Sequence, residues 1–222
     1  MNKNIFLACD TTNLSKVRKI IKHTQTRKLK IGYKFGLEFL NSKRGRSFVS
    51  KLKNKIIFLD LKLNDIPNTC ISAVKAIKDL KINYLTIHIS SGLDALKAVK
   101  KVSGKIKIVG VSTLTSLNDK KLKQTGHTKS VKNLVIKQAK LAAKANLDAL
   151  VCSAHEVSYI KGIFKKEIIT PGIRLNTKIN DQKRVMTPKK AFKEGSHWLV
   201  IGRSLTKGNI KNNIKNLIDH LS

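Results

Sequence analysis

The amino-acid sequence predicts a single (β/α)8 barrel, one domain spanning residues 1–222 in which eight parallel strands alternate with helices. Short β-branched or apolar runs alternate with amphipathic segments along the whole chain, and no Pro-, Gly- or Ser-rich linker interrupts them. The length of 222 residues suits such a barrel, which usually needs roughly 200 to 250 residues. Eight strands in this rhythm favour a closed barrel over an open doubly wound sheet. The predicted strands are Ile5–Cys9, Ile31–Phe35, Ile56–Lys62, Tyr84–His88, Ile106–Val111, Ala149–Cys152, Ile168–Thr170 and Trp198–Ile201.

The segments between the strands have apolar residues at helical spacing, which is typical of crossover helices that pack on a parallel sheet. Active sites in (β/α)8 barrels form at the C-terminal ends of the strands and in the loops that follow them. Polar residues at those ends are therefore candidates for function, whereas the same residues in the middle of a helix are not. The predicted helices are Leu14–Lys28, Asn68–Leu80, Asp94–Val102, Val131–Ala145 and Ile210–Leu221.

The sequence shows no apparent targeting signal, and this together with its cysteine usage predicts a cytoplasmic protein. No apolar stretch approaches the roughly 20 residues that a membrane-spanning helix needs. The apolar run Ile5–Cys9 passes directly into Asp10, so it is too short for the core of a signal peptide. Three cysteines, Cys9, Cys70 and Cys152, are far apart and form no CxxC pair. This pattern suits a reducing compartment better than a disulfide framework or a zinc site.

The net charge is strongly positive, because 46 Lys and Arg residues stand against 13 Asp and Glu residues, a formal charge of +33. Such a balance raises the possibility of a nucleic-acid-binding protein. However, the basic residues are scattered over most of the predicted helices, and aromatic residues make up only 5% of the chain, too few to suggest a base-stacking platform. A solvated basic surface that attracts anionic substrates is the favoured interpretation, and nucleic-acid binding is the alternative.

Charged residues stand at the predicted ends of the first three strands. Asp10 follows strand 1, Lys34 lies on strand 2, and Asp60 and Lys62 lie on strand 3, with Asp65 just beyond. Residues two apart on a strand point to the same face, so Asp60 and Lys62 should share one side of the sheet. A purely structural explanation of Asp60 and Lys62 would be an exposed salt bridge on an edge strand. However, the residues that flank this pair are almost all apolar, which predicts a buried strand. Paired charges inside a buried cleft are often functional.

The segment 58–69, which contains Asp60-Leu61-Lys62-Leu63-Asn64-Asp65, resembles the signature of orotidine 5′-phosphate decarboxylases. The Asp-x-Lys-x-x-Asp core is shared with a sister group that decarboxylates 3-keto-gulonate 6-phosphate and uses a metal. The Thr-Pro-Gly-Ile-Arg segment at 170–174 and Asp-Gln at 181–182 favour the orotidine enzyme. Other segments that resemble the family follow in the family's order: 7–10, 34–36, 113–116, 151–154, 170–174, 181–184 and 200–203.

The resemblance implies a decarboxylation that needs no cofactor. Loss of CO2 from C6 of orotidylate leaves an in-plane carbanion that the ring π-system cannot delocalise, and no thiamine, pyridoxal or metal ligand set is recognisable. A preorganised ammonium group beside C6 would stabilise that charge as it develops. By resemblance Lys62 has this role and then protonates C6, Asp60 lies near the departing carboxylate, and Lys34 links Asp60 to the ribose hydroxyls. The family also implies a homodimer, in which Asp65 reaches into the partner's active site.

The same resemblance assigns the sugar and base contacts. Asp10 and Thr69 would hold ribose hydroxyls, with Thr69 contributed across the dimer as Asp65 is. Thr115 and Ser116 offer short donor and acceptor groups for the pyrimidine edge. Without the family match, a turn or helix-cap role is about as good an explanation for Thr115 and Ser116.

The phosphate is expected at the loops after strands 7 and 8, where (β/α)8 barrels commonly bind phosphate. Arg174 lies in the first of these loops, Gln182 lies further along it and could close over phosphate and base, and Gly202 and Arg203 follow strand 8. Arg203 could bind the phosphate through two parallel hydrogen bonds, and backbone N–H groups near Gly202 could approach it without a Cβ in the way.

Four residues with reactive or bulky side chains receive no functional assignment. His88 ends strand 4 and His155 begins a predicted helix; either could act in catalysis, although a structural role is the commoner explanation. Cys152 is expected to pack at a strand end, and Trp198 is expected in the core. The overall prediction is a carboxy-lyase that makes UMP for pyrimidine biosynthesis, with the sugar-phosphate decarboxylase and the nucleic-acid-binding protein as alternatives.

Overall fold

In a computed structural model, which describes residues 3–175 and 185–222, the chain forms a closed barrel of eight parallel strands. Each strand pairs with the next along the chain, and β8 pairs with β1 to close the barrel. The predicted (β/α)8 architecture is confirmed, and every predicted strand lies within two residues of an observed one. The strands are β1 (Lys3–Ala8), β2 (Leu29–Gly36), β3 (Ile56–Leu63), β4 (Tyr84–His88), β5 (Lys107–Val111), β6 (Ala149–Val151), β7 (Glu167–Thr170) and β8 (Trp198–Ile201).

Helices cover the outside of the barrel, and all five predicted helices are present. Several shorter helices were not predicted, because four to seven residues are too few to show a helical hydrophobic period. Three 3₁₀ turns, at Lys78–Leu80, Ile89–Ser91 and Ala154–Glu156, also lie between the strands. The helices are α1 (Leu14–His23), α2 (Leu37–Leu40), α3 (Gly45–Ser50), α4 (Pro67–Ala76), α5 (Gly92–Val102), α6 (Asp119–Lys123), α7 (Val131–Lys144), α8 (Val157–Ile160), α9 (Pro188–Glu194), α10 (Arg203–Thr206) and α11 (Ile210–Leu221).

Helix α1 ends at His23, so its predicted extension to Lys28 is wrong. The cause is Thr24, a buried residue whose hydroxyl donates to the carbonyl of Ile20 at 2.7 Å and lies 3.0 Å from the hydroxyl of Tyr33. These contacts tie the end of the helix to β2. A local side-chain bond of this kind offers the backbone an alternative to further helix, which hydrophobic spacing does not reveal.

The core has two layers. The larger layer packs the outward faces of the strands against the helices, and the smaller one fills the inside of the barrel. In the inner layer Phe6 stacks on Trp198 with ring centroids 4.0 Å apart and contacts Phe58 at 4.9 Å. Trp198 is only 2% exposed, which confirms its predicted core position. The upper residues of the inner layer, among them Ala8, Phe58 and Val200, form the floor of the cavity described below.

Within the described residues, no helix is both long and apolar enough to cross a membrane.

Candidate active site

A cavity of about 510 Å³ opens at the C-terminal ends of the barrel strands. Its volume lies within the range of small-molecule sites, roughly 300 to 1,000 Å³. Among the described residues, five cationic side chains line the cavity against two carboxylates, so the site favours an anionic ligand. These charged residues are Asp10, Lys34, Asp60, Lys62, Arg174, Arg203 and Lys207.

Four of the predicted residues form one connected ionic array on this floor. Lys34 Nζ lies 3.1 Å from Asp10 Oδ1 and 3.4 Å from Asp60 Oδ2, and Lys62 Nζ lies 2.9 Å from the same Asp60 oxygen. The side chains of Lys34 and Asp60 are 11% and 15% exposed, whereas that of Lys62 is 34% exposed and that of Asp10 is 58% exposed. The two inner charges are therefore fixed by the fold, while Lys62 presents its ammonium group to the cavity.

Burial and ion pairing oppose one another in this array. Burial alone would lower the pKa of Lys34, but the carboxylates of Asp60 and Asp10 outweigh it and raise that pKa above its ordinary value. Burial alone would raise the pKa of Asp60, but Lys34 and Lys62 outweigh it and lower that pKa. Both groups are therefore held in their charged forms at neutral pH.

Strand β3 brings Asp60 and Lys62 into the cavity, as their spacing predicted, but the strand is not regular there. Its pairing with β4 passes from Leu59 opposite Leu85 to Leu63 opposite Ile87, so β3 contains two more residues than β4 over this stretch. Lys62 has φ of 51°, in the left-handed region that side chains rarely adopt.

Thr86 on β4 supports this irregular stretch. The backbone N–H of Lys62 donates to Thr86 Oγ1 at 2.7 Å, and that hydroxyl donates in turn to Asp60 Oδ1 at 3.3 Å. Thr86 is completely buried and does not line the cavity.

The opposite end of the cavity is basic. Gly202, Arg203 and Ser204 line it from the end of β8 and the first residues of α10, and Lys207 lines it from just beyond that short helix. Arg174 lines it from the loop after β7. The predicted phosphate-binding residues that the structure describes thus converge from the two expected loops.

The loop after β7 is anchored on both sides. The N–H of Arg174 donates to the carbonyl of Met186 at 3.1 Å, and the N–H of Met186 donates to the carbonyl of Gly172 at 3.3 Å. These bonds hold Gly172 and Arg174 at the cavity. The predicted ligand Gln182 lies outside the described residues.

The loop after β5 contributes Thr115 but not Ser116 to the cavity lining. Leu117 N–H donates to the carbonyl of Leu114 at 2.9 Å, which closes a turn, and Ser116 within this turn is exposed. Thr113, at the start of the loop, is fixed because its N–H and hydroxyl both donate to Gln138 Oε1, at 2.8 and 3.1 Å. Within one chain, Thr115 lines the cavity and Ser116 does not, while their role as base ligands stays a prediction.

Asp65 and Thr69 also lie outside the cavity of their own chain. Both are exposed, and Asp65 Oδ1 accepts a hydrogen bond from the N–H of Ile66 at 2.7 Å. Helix α4 begins at Pro67, as expected for a proline in the first turn, and so places Thr69 near its start.

The two unassigned histidines differ in environment. His88 is half-buried at the end of β4, where burial first and the charge of Lys62 second lower its pKa, while Asp60 opposes them. His155 is exposed in the 3₁₀ turn Ala154–Glu156. Among the described residues that line the cavity, neither histidine is present, whereas Cys152 is.

Some lining residues were not predicted, and their signals were weak. Thr113 and Pro171 lie inside segments that resemble the family but carry no charge, and Ser204 and Lys207 lie one and four residues beyond Arg203. Thr86 could have been identified from period two, since it lies between Tyr84 and His88 on the inward face of β4.

Comparisons with known proteins agree with this geometry. The family model described as "Orotidine 5'-phosphate decarboxylase / HUMPS family" matches residues 3–213. A relative from Wolbachia pipientis subsp. Culex pipiens (strain wPip), named "Orotidine 5'-phosphate decarboxylase", is 44% identical over 210 residues, which is 91% of each chain. A relative of the same name from Sphingopyxis alaskensis is 38% identical over 220 residues, 93% of each chain.

A solved structure has the same fold over its entire length. The crystal structure of orotidine 5′-phosphate decarboxylase from Lactobacillus acidophilus superposes with a TM-score of 0.85 at 28% sequence identity, with 100% of both chains covered. Together with the family match over residues 3–213, this likeness places the chain among carboxy-lyases. The chain belongs to the orotidine 5′-phosphate decarboxylase / HUMPS family.

Proposed function

We propose that this protein decarboxylates orotidine 5′-phosphate to UMP, a step that supplies pyrimidine nucleotides. The observation that carries the proposal is the juxtaposition, in one cavity, of the Asp10–Lys34–Asp60–Lys62 array and a separate basic end around Arg203. The substrate has an anionic carboxylate at one end and a phosphate at the other, and the cavity offers cationic groups to both.

The chemistry would take place at the ammonium group of Lys62. The C6–carboxylate bond breaks, CO2 departs, and the bonding electron pair stays on C6. Lys62 Nζ then transfers a proton to C6 and later regains one from solvent. Because Lys62 is ion-paired to Asp60 at 2.9 Å before substrate binds, its charge is already oriented, which is the condition for selective stabilisation of a transition state.

Asp60 and Lys34 would prepare the site for this step. The lowered pKa of Asp60 keeps a negative charge beside the position of the substrate carboxylate, where it disfavours the bound ground state. Lys34, 3.1 Å from Asp10 and 3.4 Å from Asp60, links the reacting end to the ribose end. Asp10, which is 58% exposed, is accessible to the ribose hydroxyls.

The phosphate would bind between Arg174, Gly202 and Arg203. A guanidinium group can hold a phosphate through two parallel hydrogen bonds, and loops after strands 7 and 8 are the usual phosphate site of this fold. We include Gln182 as a further ligand of phosphate or base on the family resemblance alone. Thr115 is the base ligand that its position in the cavity supports best.

We also propose a homodimer in which Asp65 and Thr69 act in the partner's site. Both residues are exposed and lie outside their own cavity. Nearby, Ile66 is 66% exposed. Leu37, the first residue of α2, is 52% exposed, and Leu114, in the loop after β5, is 40% exposed. Large apolar side chains at one rim of a barrel suit burial against a second copy.

A complementation experiment tests the shared site. Lys62→Ala and Asp65→Ala subunits, each inactive alone, are mixed under conditions that exchange subunits. If Asp65 acts across the interface, each mixed dimer contains one intact site and activity returns. Mixed dimers that form, as seen by mass spectrometry, but remain inactive would show that Asp65 serves its own chain.

We place the protein in the cytoplasm. Cys9, Cys70 and Cys152 are all buried and none of these three is in a disulfide, which suits a reducing compartment.

The proposed activity is tested by following the ultraviolet absorbance of orotidine 5′-phosphate with and without EDTA. Conversion to UMP that survives chelation supports the proposal. Absence of turnover on this substrate would overturn it. A metal-dependent decarboxylation of 3-keto-gulonate 6-phosphate in the same preparation would instead assign the chain to the sister activity.

A further inference from the structure

Thr86 lies beneath the ionic array and touches both of its central residues. It is completely buried on the inward face of β4, between the aromatic inner core and the cavity. Its hydroxyl accepts the backbone N–H of Lys62 at 2.7 Å and donates to Asp60 Oδ1 at 3.3 Å. One donor hydrogen and one acceptor lone pair of the same hydroxyl are therefore used on two different residues.

The contact with Lys62 replaces a missing sheet bond. Because β3 contains two more residues than β4 between Leu59 and Leu63, regular pairing is interrupted where Lys62 lies. Lys62 has φ of 51°, a conformation that a residue with a Cβ adopts only when its surroundings hold it there. The short bond from Lys62 N–H to the Thr86 hydroxyl is the contact in the described structure that holds this peptide from β4.

The contact with Asp60 fixes the orientation of the carboxylate. Asp60 Oδ2 receives both ammonium groups, Lys62 at 2.9 Å and Lys34 at 3.4 Å, whereas Oδ1 accepts from Thr86. The described charged and titratable groups around Asp60 are Lys34 from β2, Lys62 from β3 and His88 from β4, with Asp10 reached through Lys34. Thr86 is thus the neutral donor in a set of charged neighbours.

We propose that Thr86 is a positioning residue, which sets the distance between Lys62 Nζ and Asp60 Oδ2 by holding the backbone of one and the carboxylate of the other. Thr86 does not touch the substrate, because it does not line the cavity. The catalytic consequence rests on the proposed decarboxylation, but the effect on Asp60 does not.

The first test is Thr86→Val, which keeps the shape and removes the hydroxyl. We expect kcat on orotidine 5′-phosphate to fall by roughly 10- to 100-fold, as for loss of one hydrogen bond to a charged group, while KM stays within about threefold. Loss of a donor raises the pKa of Asp60, so the acidic limb of the pH–rate profile moves to higher pH. Thr86→Ser, which retains the hydroxyl, should restore both kcat and the acidic limb.

Thr24→Val is the matched control. Thr24 is also completely buried and hydrogen-bonded, but its contacts are with Ile20 and Tyr33, away from the cavity. This variant should lose stability without a change in the acidic limb. A Thr86→Val enzyme with the wild-type kcat and profile, or a Thr86→Ser enzyme as impaired as Thr86→Val, would overturn the proposal.

Two further measurements keep the test decisive. If Thr86→Val fails to fold, Thr86→Ser and Thr86→Cys are compared, because they differ only in the donor atom and a thiol is the weaker donor. Equal kcat and equal acidic limbs for this pair would overturn the proposal. If the wild type shows no turnover, the proposed function fails, and an NMR titration of the Asp60 carboxyl carbon decides the role of Thr86. An unchanged pKa of Asp60 in Thr86→Val, or in Thr86→Cys relative to Thr86→Ser, would then refute it.

Discussion

Replacement of Lys34 by methionine removes one of the two cations that face Asp60 and tests whether the buried array is held by its charges. Lys34 Nζ lies 3.4 Å from Asp60 Oδ2, and both side chains are largely buried. At an effective dielectric constant of about 20, this attraction is about 5 kcal/mol. The pair with Asp10 is partly in water and adds only about 1 kcal/mol.

The cost of burying the ammonium group offsets part of this attraction. Methionine does not carry that cost, which is about 3 kcal/mol for a buried ammonium group in a protein. The expected loss in the free energy of unfolding is therefore about 3 kcal/mol at pH 7, at the lower end for a buried pair that loses one partner. Lys62, which still faces Asp60 at 2.9 Å, limits the loss.

The assay is urea unfolding of the wild type and Lys34→Met at several pH values, with Lys28→Met, an exposed lysine, as the control. The pKa of Asp60 is lowered in the folded wild type, so its stabilisation is complete above the unfolded pKa of about 3.9 and is lost as pH falls through the folded pKa. In Lys34→Met the pKa of Asp60 rises, and the difference between the proteins should shrink as the pH becomes acidic. A variant within about 1 kcal/mol of the wild type at pH 7 would refute this reasoning.

Two other substitutions test regions outside the reacting end. Arg203→Ala should raise KM for orotidine 5′-phosphate by roughly 10- to 100-fold and also reduce kcat, since phosphate binding energy contributes to catalysis. Steady-state kinetics measure both constants, with the exposed Arg27→Ala as the control. An unchanged KM would exclude Arg203 from the phosphate site. Tyr84→Phe removes the hydroxyl that donates to Glu167 at 2.9 Å at the opposite end of the barrel, so it should cost about 1 to 2 kcal/mol of stability with kcat unchanged. Equal stability by urea unfolding would contradict the second expectation.

The sequence was informative wherever a function depends on position along a strand. Asp60 and Lys62 were assigned to one face from their spacing, and Lys34 and Asp10 from their places at strand ends, because parallel strands in a barrel bring these ends together. Short-range patterns of this kind need no knowledge of tertiary contacts.

Other features depend on contacts between distant segments and were not visible in the sequence. Nothing in the residues of β3 marks its irregular stretch, in which the N–H of Lys62 donates to the Thr86 hydroxyl on another strand. The end of α1 likewise depends on a bond between Thr24 and Tyr33. The exposed position of Ser116 follows from the turn that Leu117 closes. In each case a specific hydrogen bond overrides the local pattern.

The central claim, that the ammonium group of Lys62 carries out decarboxylation in this cavity, is tested most directly by Lys62→Ala. Turnover of orotidine 5′-phosphate and the dissociation constant for UMP are measured on the same preparations of variant and wild type. We expect the wild type to convert the substrate and Lys62→Ala to show no conversion, while UMP binding remains within about tenfold because the phosphate contacts lie elsewhere. Conversion by Lys62→Ala at a rate near that of the wild type would contradict the claim.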